Sequence, residues 1–436
     1  MPSLAQKGVC CRPGPAPAST APKIFEIIPI LIQSTFTIQA LLSQVSGFVI
    51  VKKAIRHWLV KLHRYSGLLL SLFIVMAGLT GAALAFNDDI DAWLNPQFYH
   101  LSPNSSGSRQ TIDALVAKVE HDYPHAKLGF FAMEQDPNAP LQAKLRPRKP
   151  NDELAMDTVF IDPVTAAVVG ERNTKAVSLA PQNLMPFLFR LHRYLLLDKP
   201  GAIISGSLGL MWLATLLIGF ALAWPRHRKG WGKALSIKRG AGGFRLMYDL
   251  HRTVGLVAGV LLVITAFTGA VMNLPDVARP LVSSLSPLTP PPKEVAKSLA
   301  TDSKQQISWQ QALASAQASM PSATPARIAR DDKHGIYQIR MRKPDDIQDS
   351  GSVRVFVDAG DGHVLRALDP LTGSGGDAFI GVQYGLHTGQ ILGLPGKILV
   401  AFMGFLPLLF MITGIAIWLK KRKSETIVRA RHLHQA

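Results

Sequence analysis

The sequence predicts an α-helical membrane protein with four transmembrane helices in two repeated halves, carrying two exported α+β domains. Three observations predict it. Four uncharged apolar runs, Ser66–Phe86, Ile203–Trp224, Val254–Leu274 and Ile398–Leu419, each approach the roughly 20 helical residues that cross a bilayer. Lys and Arg gather in the short segments between them. The chain also repeats itself at a nearly constant offset, and internal repeats decide the architecture when present.

Composition agrees. Only 17% of the 436 residues are charged and 48% are hydrophobic, against about 25% charge in soluble domains. A disordered chain and an ordinary soluble enzyme are therefore excluded. The formal net charge is +18, from 47 Lys+Arg and 29 Asp+Glu. The two cysteines, Cys10 and Cys11, are adjacent. That excludes a disulfide framework, a CxxCH haem attachment, an iron–sulfur cluster and a Cys-ligated zinc site. Any metal must be held by His, Met or carboxylates.

Residues 1–50 form an N-terminal extension, with a Pro/Ala/Ser-rich stretch to residue 23 that reads as disordered. Residues 24–51 read either as a fifth span or, preferably, as sequence upstream of a natural start near Val51. Residues 51–86 hold a basic lead-in, with Lys52, Lys53, Arg56, Lys61 and Arg64 and no acid, followed by the first span. A first exported domain covers 87–190, and 191–224 hold a histidine segment and the second span. The loop 225–253 carries eight Lys/Arg against Asp249 alone. The third span covers 254–274 and a second exported domain 275–385, in which 285–305 read as a linker. Residues 386–419 hold a second histidine segment and the fourth span, and the tail 420–436 has six Lys/Arg against Glu425. By the positive-inside rule the short basic segments and the core's termini are cytoplasmic and both long loops exported. The excess charge is thereby explained without nucleic acid; the lipid bilayer is the partner it implies.

Leu62-His63-Arg64 opens the first span and Leu250-His251-Arg252 the third, and Thr80-Gly81 falls on Thr268-Gly269 at the same offset. These Thr-Gly pairs read as close-packing positions between helices. Leu191-His192 matches Leu386-His387, with Pro200-Gly201 and Pro395-Gly396 following. The prolines, tolerated in a first helical turn, make the two histidine segments read as short turns leading into the spans. Inside the loops, Val159-Phe160-Ile161-Asp162 matches Val355-Phe356-Val357-Asp358. Alternation around Asp/Gly/Pro turns predicts strands over 152–162, 166–169, 336–342, 353–358 and 363–365. Helical spacing predicts Thr111–Tyr123 and, behind a Ser308 cap, Trp309–Met320. Each loop thus reads as one helix on a few antiparallel strands.

Four histidines occupy repeated positions. His63 and His251 fall at the cytoplasmic face, His192 and His387 at the exported face, giving one pair at each membrane surface. A pair of imidazoles from facing helices suits the two axial positions of a haem; the alternative is four interfacial polar residues. His57 competes with His63 but lies on another helix face. Arg64, Arg193 and Arg252 each follow a candidate ligand and suit bidentate pairing with haem propionates. Arg190 and Arg193 also suit attraction of an anionic chelate. His121 and His125 are interrupted by Pro124 and make a poor zinc pair. No GxGxxG in strand–helix context, Walker, GxSxG or HExxH motif occurs, so no nicotinamide or flavin module is evident.

The Leu-His-Arg openings, the Val-Phe-Ile/Val-Asp strands and the Leu-His…Pro-Gly segments, over roughly residues 52–420, resemble the PepSY-associated transmembrane family. The resemblance implies two PepSY-like periplasmic domains and two b haems, with His63 and His251 as cytoplasmic ligands and His192 and His387 as periplasmic ones. It implies a bacterial inner-membrane protein of iron uptake. The expected function is then a di-haem electron conduit, drawing on a cytoplasmic or quinol donor and reducing a ferric siderophore or other ferric chelate. The alternatives are a quinol- or sulfur-linked cytochrome b with another acceptor, and a haem-free sensor or peptidase-regulating protein.

Overall fold

A computed structural model describes residues 53–433 except 102–104, 106, 134, 135, 137, 150, 151, 239, 241 and 291–305. The readings of residues 1–50, and most of the 285–305 linker, lie outside the described residues. The first half runs α1 (Lys53–Leu84), α2 (Asn87–Leu94), α3 (Ile112–Asp122), β1 (Ala126–Ala132), β2 (Leu141–Pro147), β3 (Thr158–Ile161), β4 (Val168–Arg172), α4 (Pro181–Tyr194) and α5 (Asp198–Ala223). The second runs α6 (Gly243–Asn273), α7 (Pro275–Ser283), α8 (Trp309–Ser319), β5 (Thr324–Asp331), β6 (Ile336–Arg342), β7 (Val353–Asp358), β8 (Val364–Leu368), α9 (Gly375–Thr388) and α10 (Gly393–Leu433).

Four helical stretches are long and apolar enough to cross a membrane: Ala54–Leu84, Asp198–Ala223, Gly243–Asn273 and Gln390–Ile427. The protein is a multi-pass membrane protein. α1 is already helical at Lys53, well before the uncharged run, because residues 53–65 contain no Gly or Pro and the backbone has no reason to stop where charge appears. His63 therefore lies inside a helix rather than at its start. α1 packs on α5 and α10, and α6 packs on the same two helices, so α1 and α6 stand diagonally across a four-helix ring. Gly78 of α1 and Gly404 of α10 make a close crossing, each with an added Cβ 2.4 Å from the other's carbonyl oxygen.

The histidine segments are not short turns. α4 and α9 are 14-residue helices, the first opened by Pro181 and the second by Ser374, whose hydroxyl accepts from the Asp377 amide. Pro200 and Pro395 lie in the first turn of the next helix, where a missing N–H costs nothing, so the chain breaks only across 195–198 and 389–393. The second break places Gly389 and Gly393 at positive φ; the first forces Leu195, Leu196 and Asp198 there.

The two long loops do not form separate domains. Their strands join in one eight-stranded antiparallel sheet of order β4-β3-β2-β1-β5-β6-β7-β8. The seam is Phe130↔Ala329, Phe131↔Ile328 and Ala132↔Arg327. Fusion pairs the edges of β1 and β5, which would otherwise offer free N–H and C=O groups. One sheet face carries Val159, Ile339, Val355 and their neighbours into a single core under α3 and α8. The helices are tied as well: Asp113 of α3 accepts from the Trp309 amide at 2.8 Å, occupying an orphan donor at the start of α8. The observed helices and Ser308 capping box match the expected ones within a residue. β1, β2 and β5 were not expected, since charges and Gly129 interrupt their alternation.

The sheet is anchored to the end of α1 by a buried cluster. Arg172 of β4 pairs with Asp91 of α2 at 2.8 Å, both almost fully buried, and Asp91 also accepts from Tyr99 and Asn95. The guanidinium lies over the Phe98 and Phe160 rings.

Candidate functional site

The fold brings the four repeated histidines together two by two. His63 of α1 and His251 of α6 face each other across the bundle diagonal with ring centroids 6.1 Å apart. His192 of α4 and His387 of α9 face each other at the sheet end, again 6.1 Å apart. Helices α4 and α9 dip back so that His192 reaches α1 and His387 reaches α6.

Each imidazole is held through Nδ1. His63 Nδ1 lies 3.0 Å from the Thr215 carbonyl on α5. His251 Nδ1 lies 2.8 Å from the Thr413 hydroxyl on α10. His192 lies 3.0 Å from Thr80 Oγ1, and His387 3.0 Å from both Thr268 Oγ1 and the Thr265 carbonyl. A carbonyl can only accept, so Nδ1 of His63 and of His387 carries the proton. The threonines give the same answer: Thr413, Thr80 and Thr268 each donate their own hydroxyl proton to a carbonyl one turn back, Leu409, Met76 and Ile264, at 2.7 Å. Their oxygens are left to accept. All four histidines are thus Nδ1–H tautomers whose Nε2 is unprotonated, the arrangement by which an outer hydrogen bond orients a metal-ligating imidazole.

Glycines seat the rings. A Cβ on Gly81 would lie 3.0 Å from His192 Cε1, on Gly269 3.0 Å from His387 Cε1, on Gly219 2.6 Å from His63 Cε1 and on Gly414 3.6 Å from His251 Cε1. Thr80-Gly81 and Thr268-Gly269 therefore pack against histidines rather than against another span. Sequence reasoning missed Thr215, Gly219, Thr413 and Gly414. The signal for the last two was available as a Thr-Gly pair inside the fourth span, but it falls outside the repeat that relates Thr80-Gly81 to Thr268-Gly269.

The arginines differ in their commitments. Arg193 puts positive charge beside His192 and His387; its buried Nε has no hydrogen-bond partner among the described residues. Arg252 donates to the carbonyls of Lys233, Ala234 and Ser236 and pairs with fully buried Asp249, fastening the basic loop. Arg64 is half-buried and makes no ion pair among the described residues. Arg190 pairs with Asp198 and donates to the Lys175 carbonyl, so it secures the strained turn after α4 and is not free for a chelate. His57 and His125 are exposed and outside both pairs, and His121 contacts Asp122.

Two imidazoles this close, each with an unprotonated Nε2, can share one ion. A metal–imidazole bond is about 2 Å and a ring centroid lies about 1 Å behind its nitrogen, so two imidazoles that shared one ion would have centroids up to about 6 Å apart. Both pairs meet that spacing. No third His, Cys, Asp or Glu completes a metal cluster among the described residues, so each pair offers two protein donors. A search of curated proteins found no match. The model of the family described as PepSY-associated TM region matches residues 60–421, from just before His63 to just past the last apolar run, and the chain belongs to that family.

Proposed function

We propose that the chain is a bacterial inner-membrane oxidoreductase that holds one b haem at each histidine pair and delivers electrons to a ferric chelate, such as a ferric siderophore, in the periplasm. The observation that carries the reading is the geometry of the two pairs: ring centroids 6.1 Å apart in each, fixed Nδ1–H tautomers and opposite ends of one bundle. The donor set fits haem, because two imidazoles alone complete an iron only if another ligand supplies the remaining positions, as a porphyrin does. The orphaned Nε of Arg193 fits too, as a buried donor beside the pair awaiting an acidic partner such as a propionate. Haem iron, when bound, would supply one-electron chemistry between ferric and ferrous states.

The chain's own residues orient and space the sites. Thr215, Thr413, Thr80 and Thr268 fix the rings, and the glycines beneath them leave room. His63 and Thr80 are 17 residues apart on α1, so the two ends are separated by about 25 Å of helix, most of a bilayer core. Positive-inside topology supports a cytoplasmic His63/His251 end, facing a cytoplasmic or quinol donor, and a periplasmic PepSY-like sheet above His192/His387. Reduced iron, softer and less charged, is released from oxygen donors.

The test is a reduced-minus-oxidised spectrum of purified protein expressed with haem supply, with haem quantified per chain, followed by reoxidation with ferric siderophores against other oxidants. Two bis-His haems per chain and fast reoxidation by the ferric chelate are expected. Protein without haem absorbance would refute the reading. Reporter fusions after residue 230 and at the C-terminus should both read cytoplasmic.

A further inference from the structure

The sheet has a second face, turned away from α3 and α8, and its register aligns like charges. Arg327 of β5 is the cross-strand partner of Arg340 of β6, and Arg340 is the partner of Arg354 of β7. Three arginines thus stand side by side over two strand spacings, about 10 Å. Like charges directly opposite in a sheet are destabilising. None of the three makes an ion pair among the described residues. Arg340 donates to Ser350 Oγ, and Arg327 lies over the Phe130 ring at 3.4 Å. The carboxylate nearest in influence, Asp346, is taken up by the amides of Gln348 and Ser352. Burial depresses all three guanidinium pKa values, and the neighbouring Arg340 adds to the effect at Arg327, which falls to about 10, and at Arg354.

One end of the row, Arg327, borders a cavity of about 750 Å³ across the β1–β5 seam, which Phe130, Lys144, Arg146 and Gln338 also line. The same wall holds Asp152, Glu153, Asp157 and Asp331; Asp157 is paired with Lys144 at 2.9 Å and Asp331 with His334 at 2.8 Å. The middle of the row lies toward α9, the helix that carries His387. Arg340 lies within electrostatic reach of Tyr384, one turn before His387 on α9. Arg354 lies within reach of Arg279 on α7. The loop between β6 and β7 rests on this region, Gln348 donating to the Gly381 carbonyl and Asp349 pairing with Lys397.

We propose that Arg327, Arg340 and Arg354 form the docking site for a ferric chelate bearing several free carboxylates, held on the sheet face beside the His192/His387 pair. The choice of a ferric chelate rests on the function proposed above; the preference for carboxylates rests on the arginine row. Guanidinium forks match carboxylates bidentately, and a polyanion turns a mutually repelling row into a compensated one. A neutral hydroxamate chelate gives the row nothing to neutralise.

The test measures binding of gallium(III) citrate, which cannot be reduced, to the full chain in detergent by calorimetry. Citrate alone and a neutral gallium trihydroxamate serve as comparisons. Arg340→Gln and the Arg327→Gln, Arg340→Gln, Arg354→Gln triple variant are tested in parallel. Gallium citrate is expected to bind, about tenfold more weakly in the single variant and undetectably in the triple one. The variants should melt no lower than wild type, since repulsion is removed. Binding unchanged in the triple variant, equal binding of the trihydroxamate, or equal binding of citrate without metal would each overturn the proposal. If arginine-dependent binding is found in protein that reduces no ferric chelate, this site stands and the proposed function falls. If ferric reduction is intact while the triple variant binds normally, the reverse holds.

Discussion

His192 donates its Nδ1–H to the Thr80 hydroxyl across 3.0 Å, and that hydroxyl gives its own proton to the Met76 carbonyl at 2.7 Å. The relation recurs between His387, Thr268 and Ile264 and between His251, Thr413 and Leu409. An i−4 back-bond that is slightly unfavourable in a helix thereby sets the tautomer of a neighbouring ring.

Removing that acceptor should weaken the site without removing the ligand. Thr80→Val is expected to lower haem retention at the sheet end by roughly 10- to 100-fold, the usual cost of losing an outer-shell partner, and Thr268→Val by less, because the Thr265 carbonyl still accepts from His387. Thr80→Ser should retain it. Haem content and spectrum after titrated extraction read the difference, and unchanged retention in both valine variants would show that the hydroxyls do not orient the ligands.

The two ends should be separable. His63→Ala or His251→Ala is expected to remove one haem of two and leave the His192/His387 signal in place. His192→Ala or His387→Ala should do the converse and abolish ferric-chelate reduction, with the remaining haem still reducible by the donor. Chelate reduction surviving in the His192→Ala, His387→Ala double variant would refute the assigned acceptor end.

A graded effect is expected from the glycines. Gly219→Ala places a methyl 2.6 Å from His63 Cε1, closer than side chains tolerate, whereas Gly414→Ala places one at an ordinary 3.6 Å from His251. Haem at the His63/His251 end should therefore be depleted in the first variant and normal in the second. Equal occupancy in the two would mean that the ring of His63 is free to move aside.

Stability of the sheet's attachment should depend on Asp91. Asp91→Ala leaves Arg172 buried, 4% exposed and without its carboxylate, and removing one partner of a buried pair costs about 3–5 kcal/mol. Thermal melts of the purified protein should fall clearly for Asp91→Ala. The Asp91→Leu, Arg172→Met double variant should recover part of the loss, because a paired apolar replacement leaves no stranded charge.

Much of this protein was legible in the chain. Apolar length located the spans, Thr111 and Ser308 marked two helix starts, and repetition singled out His63, His192, His251 and His387, because these are local signals carried by composition, periodicity and capping chemistry. The tertiary structure decided what depends on residues far apart. Which histidine faces which, and which tautomer each holds, follow from α1 and α6 standing diagonally and from Thr215 and Thr413 on the intervening helices. The fusion of two loops into one sheet follows from the Phe131↔Ile328 seam, between strands whose charged and glycine positions hide the alternation. The arginine row is the clearest case: Arg327, Arg340 and Arg354 are unremarkable in sequence and become neighbours only through strand register, which the hydrophobic face fixes because a slip of one residue would turn that face to water.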